Sequence, residues 1–324
     1  MDRPSERVLS LAVDTPPVTD LTDRAAGCLL GLACGDALGR PVEGYSSAGI
    51  AADYGRLAEM RGRGVHGRPA GTVTDDTAMT LRLARSLADC GGFDGADAAA
   101  RYVDWYASDP LGIGSMTAET LGRVHDGAAW DEAGPAVHAT RPEGENAGNG
   151  SLMRAAPLAI AFRTDHDALA DAAVADSRIT HADPRCVESC VAFVRILAGL
   201  LDGDPPRDAL DAGRSLAVER DAPGDVRTAL AAADDPALAE LETTGYVIHT
   251  LETALHDGLT ADDPEGGIVA AVNRGGDADT IGAVTGAIVG ARFGAGALPP
   301  RWIEALDDDL AAELRSLGSR LVEG

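Results

Sequence analysis

Residues 24–37 read RAAGCLLGLACGDA, and residues 280–293 read TIGAVTGAIVGARF. Both runs are apolar at helical spacing, and each carries a glycine at every fourth position: Gly27, Gly31 and Gly35 in the first, Gly282, Gly286 and Gly290 in the second. A glycine inside a helix costs about 1 kcal/mol against alanine, so three on one face, twice over, call for a compensation. Very close helix contact supplies one; chance in a chain of 39 glycines is the plain alternative. If the contact is real, the loops at the ends of the two helices converge, and those loops hold the polar residues.

Around this pair the chain reads as helices almost throughout. Apolar residues recur at three-to-four spacing over 24–37, 75–90, 95–107, 151–162, 165–176, 184–202, 207–218, 224–233, 245–257, 280–293 and 300–320, and no segment alternates with period two. The pattern predicts an all-α fold, one all-helical domain over residues 21–324 behind a loose tail, 1–20. Acidic, proline-containing segments near 203–206, 221–224 and 234–236 read as loops between helices. No repeat of 20 to 50 residues is visible, which argues against a solenoid.

With 52 acidic residues against 27 basic ones, the formal net charge is −25, and all 27 basic residues are arginine. Such a surface repels phosphate backbones and anionic lipid and attracts divalent cations, which excludes general nucleic-acid binding. An acidic, lysine-free chain with 4% aromatics is also the composition expected of a protein from a high-salt cytoplasm, where screening shortens self-repulsion. Five cysteines without a CxxC pair (Cys28, Cys34, Cys90, Cys186, Cys190) read as free thiols. The N-terminus has no sustained apolar core, and the longest apolar run, 281–299, holds five glycines and Arg292. Neither a signal peptide nor a membrane span is expected, and the localisation expected is cytoplasmic.

The polar residues fall in three places. GDALGRPVEG follows the first helix and carries Asp36 and Glu43; GTVTDDTAM sets Thr74, Asp75, Asp76 and Thr77 at a helix start; GGDADT sets Asp277, Asp279 and Thr280 at another. Each alone could serve as an N-cap with first-turn acids. Capping does not explain why closely spaced carboxylates, bracketed by threonines, occur twice, each beside a segment built for close approach. Repelling carboxylates belong where a cation neutralises them, and oxygen donors without nearby histidine or cysteine specify a hard ion such as magnesium or manganese. Two clusters could hold two such ions a few ångströms apart.

The ordered set GCLLGLACGDALGRPVEG, GTVTDDTAM, GNGSLMRAAPLAI, THADPRCVESC and NRGGDADTIGAVTGAIVGARFG resembles the ADP-ribosylglycohydrolase family over roughly residues 22 to 320. The resemblance implies a single compact orthogonal multi-helix all-α domain with a binuclear magnesium or manganese centre at the floor of a central cleft that receives ADP-ribose. It carries the metal-ligand role onto Thr74, Asp75, Asp76, Asp277, Asp279 and Thr280, and the catalytic role onto Glu43, with Asp76 beside it. Gly148, Asn149, Gly150 and Ser151 form a turn before a helix expected to start near Leu152, a plain Asn-Gly turn by itself but by resemblance a contact to ADP-ribose, whose diphosphate suits backbone N–H groups. His181 matches a position near the ligand, ahead of Asp183 as N-cap and Pro184 at the first helical position. His249 and His256 read as structural.

Bound ions would orient the ribose hydroxyls and acidify a water for attack at the anomeric carbon, with Glu43 as general base or as a displaceable ligand. Three departures bear on the substrate. Gly112, in LGIGSMT, stands where many members of the family have an aspartate associated with an arginine-linked leaving group. Val73 replaces a frequent tryptophan, and Arg274 sits where an uncharged residue is common; it could meet a phosphate or pair with acids. The function expected is metal-dependent hydrolysis of the bond between ADP-ribose and an acceptor, by a monomer or small homo-oligomer. A hydrolase of another ribosyl substrate and a non-catalytic ADP-ribose-binding relative are the alternatives, the second disfavoured because every ligand position is filled.

Overall fold

Asp20 opens helix α1 (Leu21–Gly39) by accepting the Asp23 N–H at 2.7 Å. From Ala25 to Gly39 every residue of α1 is buried, which is the property of a helix that is apolar all round and runs through the middle of a domain. Helix α14 (Ala278–Phe293) is buried in the same way from Ala278 to Ala291. The two lie antiparallel, Gly27 against Gly290, Gly31 against Gly286 and Gly35 against Gly282. A Cβ placed on Gly27 would stand 2.5 Å from the Gly290 carbonyl oxygen, and one on Gly31 or Gly35 would come closer still to the carbonyls of Gly286 and Gly282. Backbone touches backbone along three turns, so the close contact anticipated from the spacing is real.

The structure, a computed structural model, describes residues 20–62, 64, 67–110, 112–235 and 241–324. The expected tail, all but Asp20, and the end of the expected loop at 234–236 lie outside the described residues. Among them are sixteen α-helices and no strand, only isolated bridges such as Ser46 with Gly275 and Gly148 with Tyr246. Around the central pair pack α13 (Pro264–Asn273), α12 (Val247–Thr260), α9 (Pro184–Asp202) and α16 (Asp308–Glu323). Here too glycines allow the approach: Gly318 of α16 seats on the Ala26 backbone and Gly258 of α12 on Ile288. An outer set, α3 (Asp75–Cys90), α4 (Gly95–Tyr106), α5 (Ser115–His125) and α6 (Trp130–Thr140), forms one flank, with α7 (Ala156–Ala161) and α8 (His166–Thr180) between it and α9. Helices α10 (Pro206–Glu219) and α11 (Gly224–Ala232) complete the other.

Several boundaries differ from the sequence reading. Helix α7 starts at Ala156, not near Leu152, because Pro157 fits only in a first turn; residues 149–154 instead make turns closed by bonds from Leu152 and Met153 N–H to the Asn149 carbonyl. The expected 300–320 helix is two, α15 (Pro300–Ile303) and α16, because Asp307 caps the second through Leu310 N–H at 3.1 Å. Helices α2 (Ser47–Tyr54), α5, α6 and α13 had no counterpart in the reading. Gly134 and Pro135 sit inside α6, and two consecutive glycines inside α13, and both interrupt the pattern. Four of the five free cysteines are buried, while Cys90, at the end of α3, is exposed. No helix among the described residues is long and apolar enough to cross a membrane.

Gly286→Ala is expected to destabilise the fold by about 1–3 kcal/mol or more, because the new methyl meets the Gly31 carbonyl and overpacking outweighs the gain in helix propensity. Gly224→Ala, where nothing lies within 4 Å, should be neutral or stabilising by up to about 1 kcal/mol. Urea unfolding of both variants checks this; equal midpoints would contradict the backbone contact.

Candidate active site

The central pair brings three polar loops to one place. Asp36 lies between Gly35 and Gly39, whose backbone in turn meets Ala278 of α14, and is fully buried. Its carboxylate accepts the Thr74 N–H at 3.0 and 2.9 Å, the Thr77 N–H at 3.2 Å and the Thr77 hydroxyl at 2.5 Å. Asp36 thereby takes up orphan donors at the start of α3 and fixes that helix end against α1. At the start of α14, Gly275 and Gly276 adopt φ of +77° and +68°, and a Cβ on either would run into a backbone carbonyl, Tyr45 for the first and Thr243 for the second. Hence the paired glycines of NRGGDADT: they let Gly44 N–H bond the Gly276 carbonyl at 2.8 Å and Gly276 N–H bond that of Tyr45 at 2.7 Å. The loop bearing Glu43 is stitched to the loop bearing Asp277.

A cleft of about 290 Å³ opens over this junction. Glu43, Asp75, Asp277, Asp279, Thr280, Gly148, Asn149, Gly150 and His181 all line it. Thr74 and Asp76 lie buried behind: the Thr74 hydroxyl donates to Asp76 Oδ2 at 2.9 Å, and Thr280 Oγ1, from the other cluster, reaches the same oxygen at 3.5 Å. Asn149 Nδ2 donates to Asp277 Oδ2 at 2.6 Å and to Thr250 Oγ1 at 2.9 Å, so the glycine-bearing turn is tied to the second cluster. Ser151 differs: its hydroxyl is fully buried and accepts from Ser177 Oγ and Cys190 Sγ, so that side chain secures the turn from inside the core.

Burial and mutual repulsion raise the acids of the site. Burial pushes Asp36 up to about 6 against the bonds from Thr77 and Thr74, and burial with the neighbouring Asp36 pushes Asp75 up to about 8. Burial, then the charges of Asp36 and Asp75, drive Asp76 well above the usual carboxylate range, and burial, then those of Asp277 and Asp76, do the same for Asp279; Asp277 rises less, restrained by Asn149. His181 is pushed down to about 3 by burial and the fields of Arg154 and Arg141, and is neutral. Its Nδ1 pairs with Thr180 Oγ1 at 2.8 Å, and its ring backs Gly148 and Gly150, where any added Cβ would meet it.

Oxygen donors only face one another here, and Asp76 Oδ1 and Asp279 Oδ1 are buried with no hydrogen-bond partner. Among the described residues no three His, Cys, Asp or Glu side chains close around one point; the donors of this site are two carboxylate clusters interleaved with Thr74 and Thr280. The orphaned oxygens and the mixed donor set could hold a hard cation.

Parts of the site were not assigned from the sequence. In the sequence Asp36 is no more than a polar residue at the end of a helix. Arg154 lies inside an apolar block of sequence; it is fully buried, donating to the Gly150 carbonyl at 3.1 Å and to Asp176 Oδ2 at 3.0 Å, while Tyr102 donates to Asp176 Oδ1 at 2.7 Å. A charge inside GNGSLMRAAP was the available signal. Arg274 pairs with Asp257 through two bonds of 2.6 Å, settling its role as an ion pair. Gly112, at φ +82°, lies beside Asp75 at the cleft rim.

An all-α domain with an acidic cleft over the junction of two antiparallel glycine-faced helices defines the class. The sequence model of the ADP-ribosylglycohydrolase family matches residues 17–324, and the chain belongs to that family. It is 33% identical over 296 residues to the ADP-ribosyl-[dinitrogen reductase] glycohydrolase of Rhodospirillum rubrum, covering 90% of this chain and 93% of that one. It is 32% identical to an ADP-ribosylarginine hydrolase of Pseudomonas putida, covering 87% of this chain and 74% of that one. A solved structure described as an ADP-ribosylglycohydrolase-related protein complex superposes with a TM-score of 0.80 at 35% identity, covering 94% of this chain and 98% of that one. The family makes the chain a hydrolase of glycosyl bonds.

Because these carboxyls sit above the ordinary Asp value of 3.8, the folded chain holds their protons more tightly than the unfolded one. Their contribution to stability is full below about pH 4 and is lost as pH climbs through about 6 for Asp36 and about 8 for Asp75. In chelator, the thermal midpoint should fall between about pH 5 and pH 8, and Asp75→Asn should flatten the upper part of that fall. A midpoint that Asp75→Asn leaves equally pH-dependent would contradict this electrostatic picture.

Proposed function

We propose that this protein hydrolyses the bond between the anomeric carbon of ADP-ribose and an acceptor atom, in a reaction dependent on two divalent cations. The observation that carries the reading is the pair of orphaned carboxylate oxygens, Asp76 Oδ1 and Asp279 Oδ1, buried in two acid clusters that meet at the floor of one cleft. Thr74, Asp75, Asp76, Asp277, Asp279 and Thr280 would hold the ions, with magnesium favoured over manganese. Bound there, such ions supply positive charge that orients the ribose hydroxyls and acidifies a water.

The chain's own residues supply the rest. Asn149 links the turn 148–150, which lines the cleft, to Asp277, so a substrate resting on the turn is placed relative to the acids. Neutral His181 fills the space behind the turn and adds no charge to repel the oxocarbenium-like transition state. Glu43 stands on the cleft wall, close enough that its charge raises Asp277 and Asp279. As general base its carboxylate takes a proton from water while the water oxygen bonds to the anomeric carbon and the acceptor leaves with the bonding pair. The acceptor recovers a proton, and free ADP-ribose departs.

At the rim, Gly112 puts no side chain beside Asp75, which leaves room for acceptors of different shape. ADP-ribose release is therefore to be measured on arginine-, serine- and nucleic-acid-linked substrates in high salt. Release from at least one linkage, abolished by chelator and restored by magnesium, is expected, and Glu43→Gln should lower it by about 100-fold or more with the fold intact. No release from any linkage would sink the proposal.

A further inference from the structure

The cleft wall holds Glu43, Asp75, Glu145, Asp277 and Asp279 against a single guanidinium among the described residues, Arg141. A diphosphate entering this cleft meets repulsion on almost every side, and Arg141 is the one fixed cation on its path. Arg141 is the residue at which α6 ends. Its Nε and Nη2 donate to Glu119 Oε2 at 3.2 and 3.1 Å, its Nη1 and Nη2 reach Ser115 Oγ at 3.4 Å, and Nη1 reaches the Glu145 carbonyl at 3.3 Å. The last contacts are at the long end of the hydrogen-bond range and leave donor capacity.

Glu119 also accepts from Arg123 Nη2 at 2.8 Å. One carboxylate thus serves two guanidiniums, so the group Arg141, Glu119 and Arg123 carries a net positive charge at a cleft that is otherwise acidic. The side chain of Arg141 keeps 19% exposure, and its field is felt as far as His181 under the turn 148–150. On the same wall Gly114 and Ser115 open α5 without a side-chain cap, so no capping side chain takes up its first-turn N–H groups.

We propose that Arg141, held at the cleft wall by Ser115 Oγ and the Glu145 carbonyl as well as by its ion pair, is the anchor for the diphosphate of the ADP-ribose moiety; the proposal rests on the ADP-ribose reading of the cleft. A planar guanidinium offers a phosphate two parallel charge-assisted hydrogen bonds, which a turn of backbone N–H groups alone does not. Calorimetric titration of ADP-ribose and of ADP, with magnesium present, into wild type, Arg141→Gln, Arg141→Lys and Glu119→Gln tests it. Arg141→Gln should weaken both ligands by about tenfold or more, and Arg141→Lys should recover part of the loss. Glu119→Gln breaks the same ion pair from its other end yet leaves Arg141 in place, so it should bind ADP-ribose as tightly as wild type or more tightly.

Affinity unchanged in Arg141→Gln would overturn the proposal. So would a loss in Glu119→Gln matching that in Arg141→Gln, which marks a purely structural ion pair, or a loss for ADP-ribose without one for ADP, which places the guanidinium at the ribose. A wild type that binds no ADP-ribose overturns the functional reading itself and this proposal with it; a wild type that binds while Arg141→Gln binds equally overturns this proposal alone.

Discussion

Everything in this molecule depends on two helix backbones touching. Because Gly27, Gly31 and Gly35 meet Gly290, Gly286 and Gly282 without a side chain between them, the end of α1 and the start of α14 arrive at the same point. Asp36 follows Gly35 directly, and Asp279 lies three residues before Gly282. Any residue larger than glycine along the seam would separate the helix that positions the first acid cluster, through Asp36 and Thr74, from the helix that carries the second. The conformational cost of six helix-interior glycines is offset by dispersion contacts along the seam and by the burial of both helices on all sides.

That geometry creates an electrostatic problem which the site keeps unresolved within the protein itself. Asp75, Asp76, Asp277 and Asp279 face one another with Asp36 behind them; burial raises all five, and neighbouring carboxylates add to the rise of the first four. Threonine hydroxyls and Asn149 answer some of the oxygens; Asp76 Oδ1 and Asp279 Oδ1 are left without partners. A fold that needed these residues only as helix caps would have aimed them at its own N–H groups, whereas Asp277, at the N-cap of α14, makes no side-chain cap bond and holds Asn149 instead. The repulsion is relieved by protons or by cations, which is why this carboxylate chemistry reads as a binding device.

Much of this was legible in the sequence, because the signals were local. The four-residue glycine spacing announced the seam, and TDDT and GGDADT announced two oxygen clusters at helix starts. The ordered blocks from GCLLGLACGDALG to NRGGDADTIGAV announced the family. What could not be read depends on chain segments distant in sequence. Asp36 owes its importance to Thr74 and Thr77, 38 and 41 residues away, and Arg154 to a partner 22 residues on. Ser151 shares a motif with Gly150 yet points into the core, a choice set by Ser177 and Cys190. Short helices interrupted by glycine or proline, such as α6 and α13, are held by tertiary packing more than by their own pattern.

On the proposed reading, the glycine seam assembles one paired cation site from two acid clusters. Manganese titration followed by electron paramagnetic resonance tests it most directly. Two ions per chain with the spectrum of a spin-coupled pair, both weakened together by Asp279→Ala, is the result this account predicts. No tight manganese binding, or a single ion indifferent to Asp279→Ala, would contradict it.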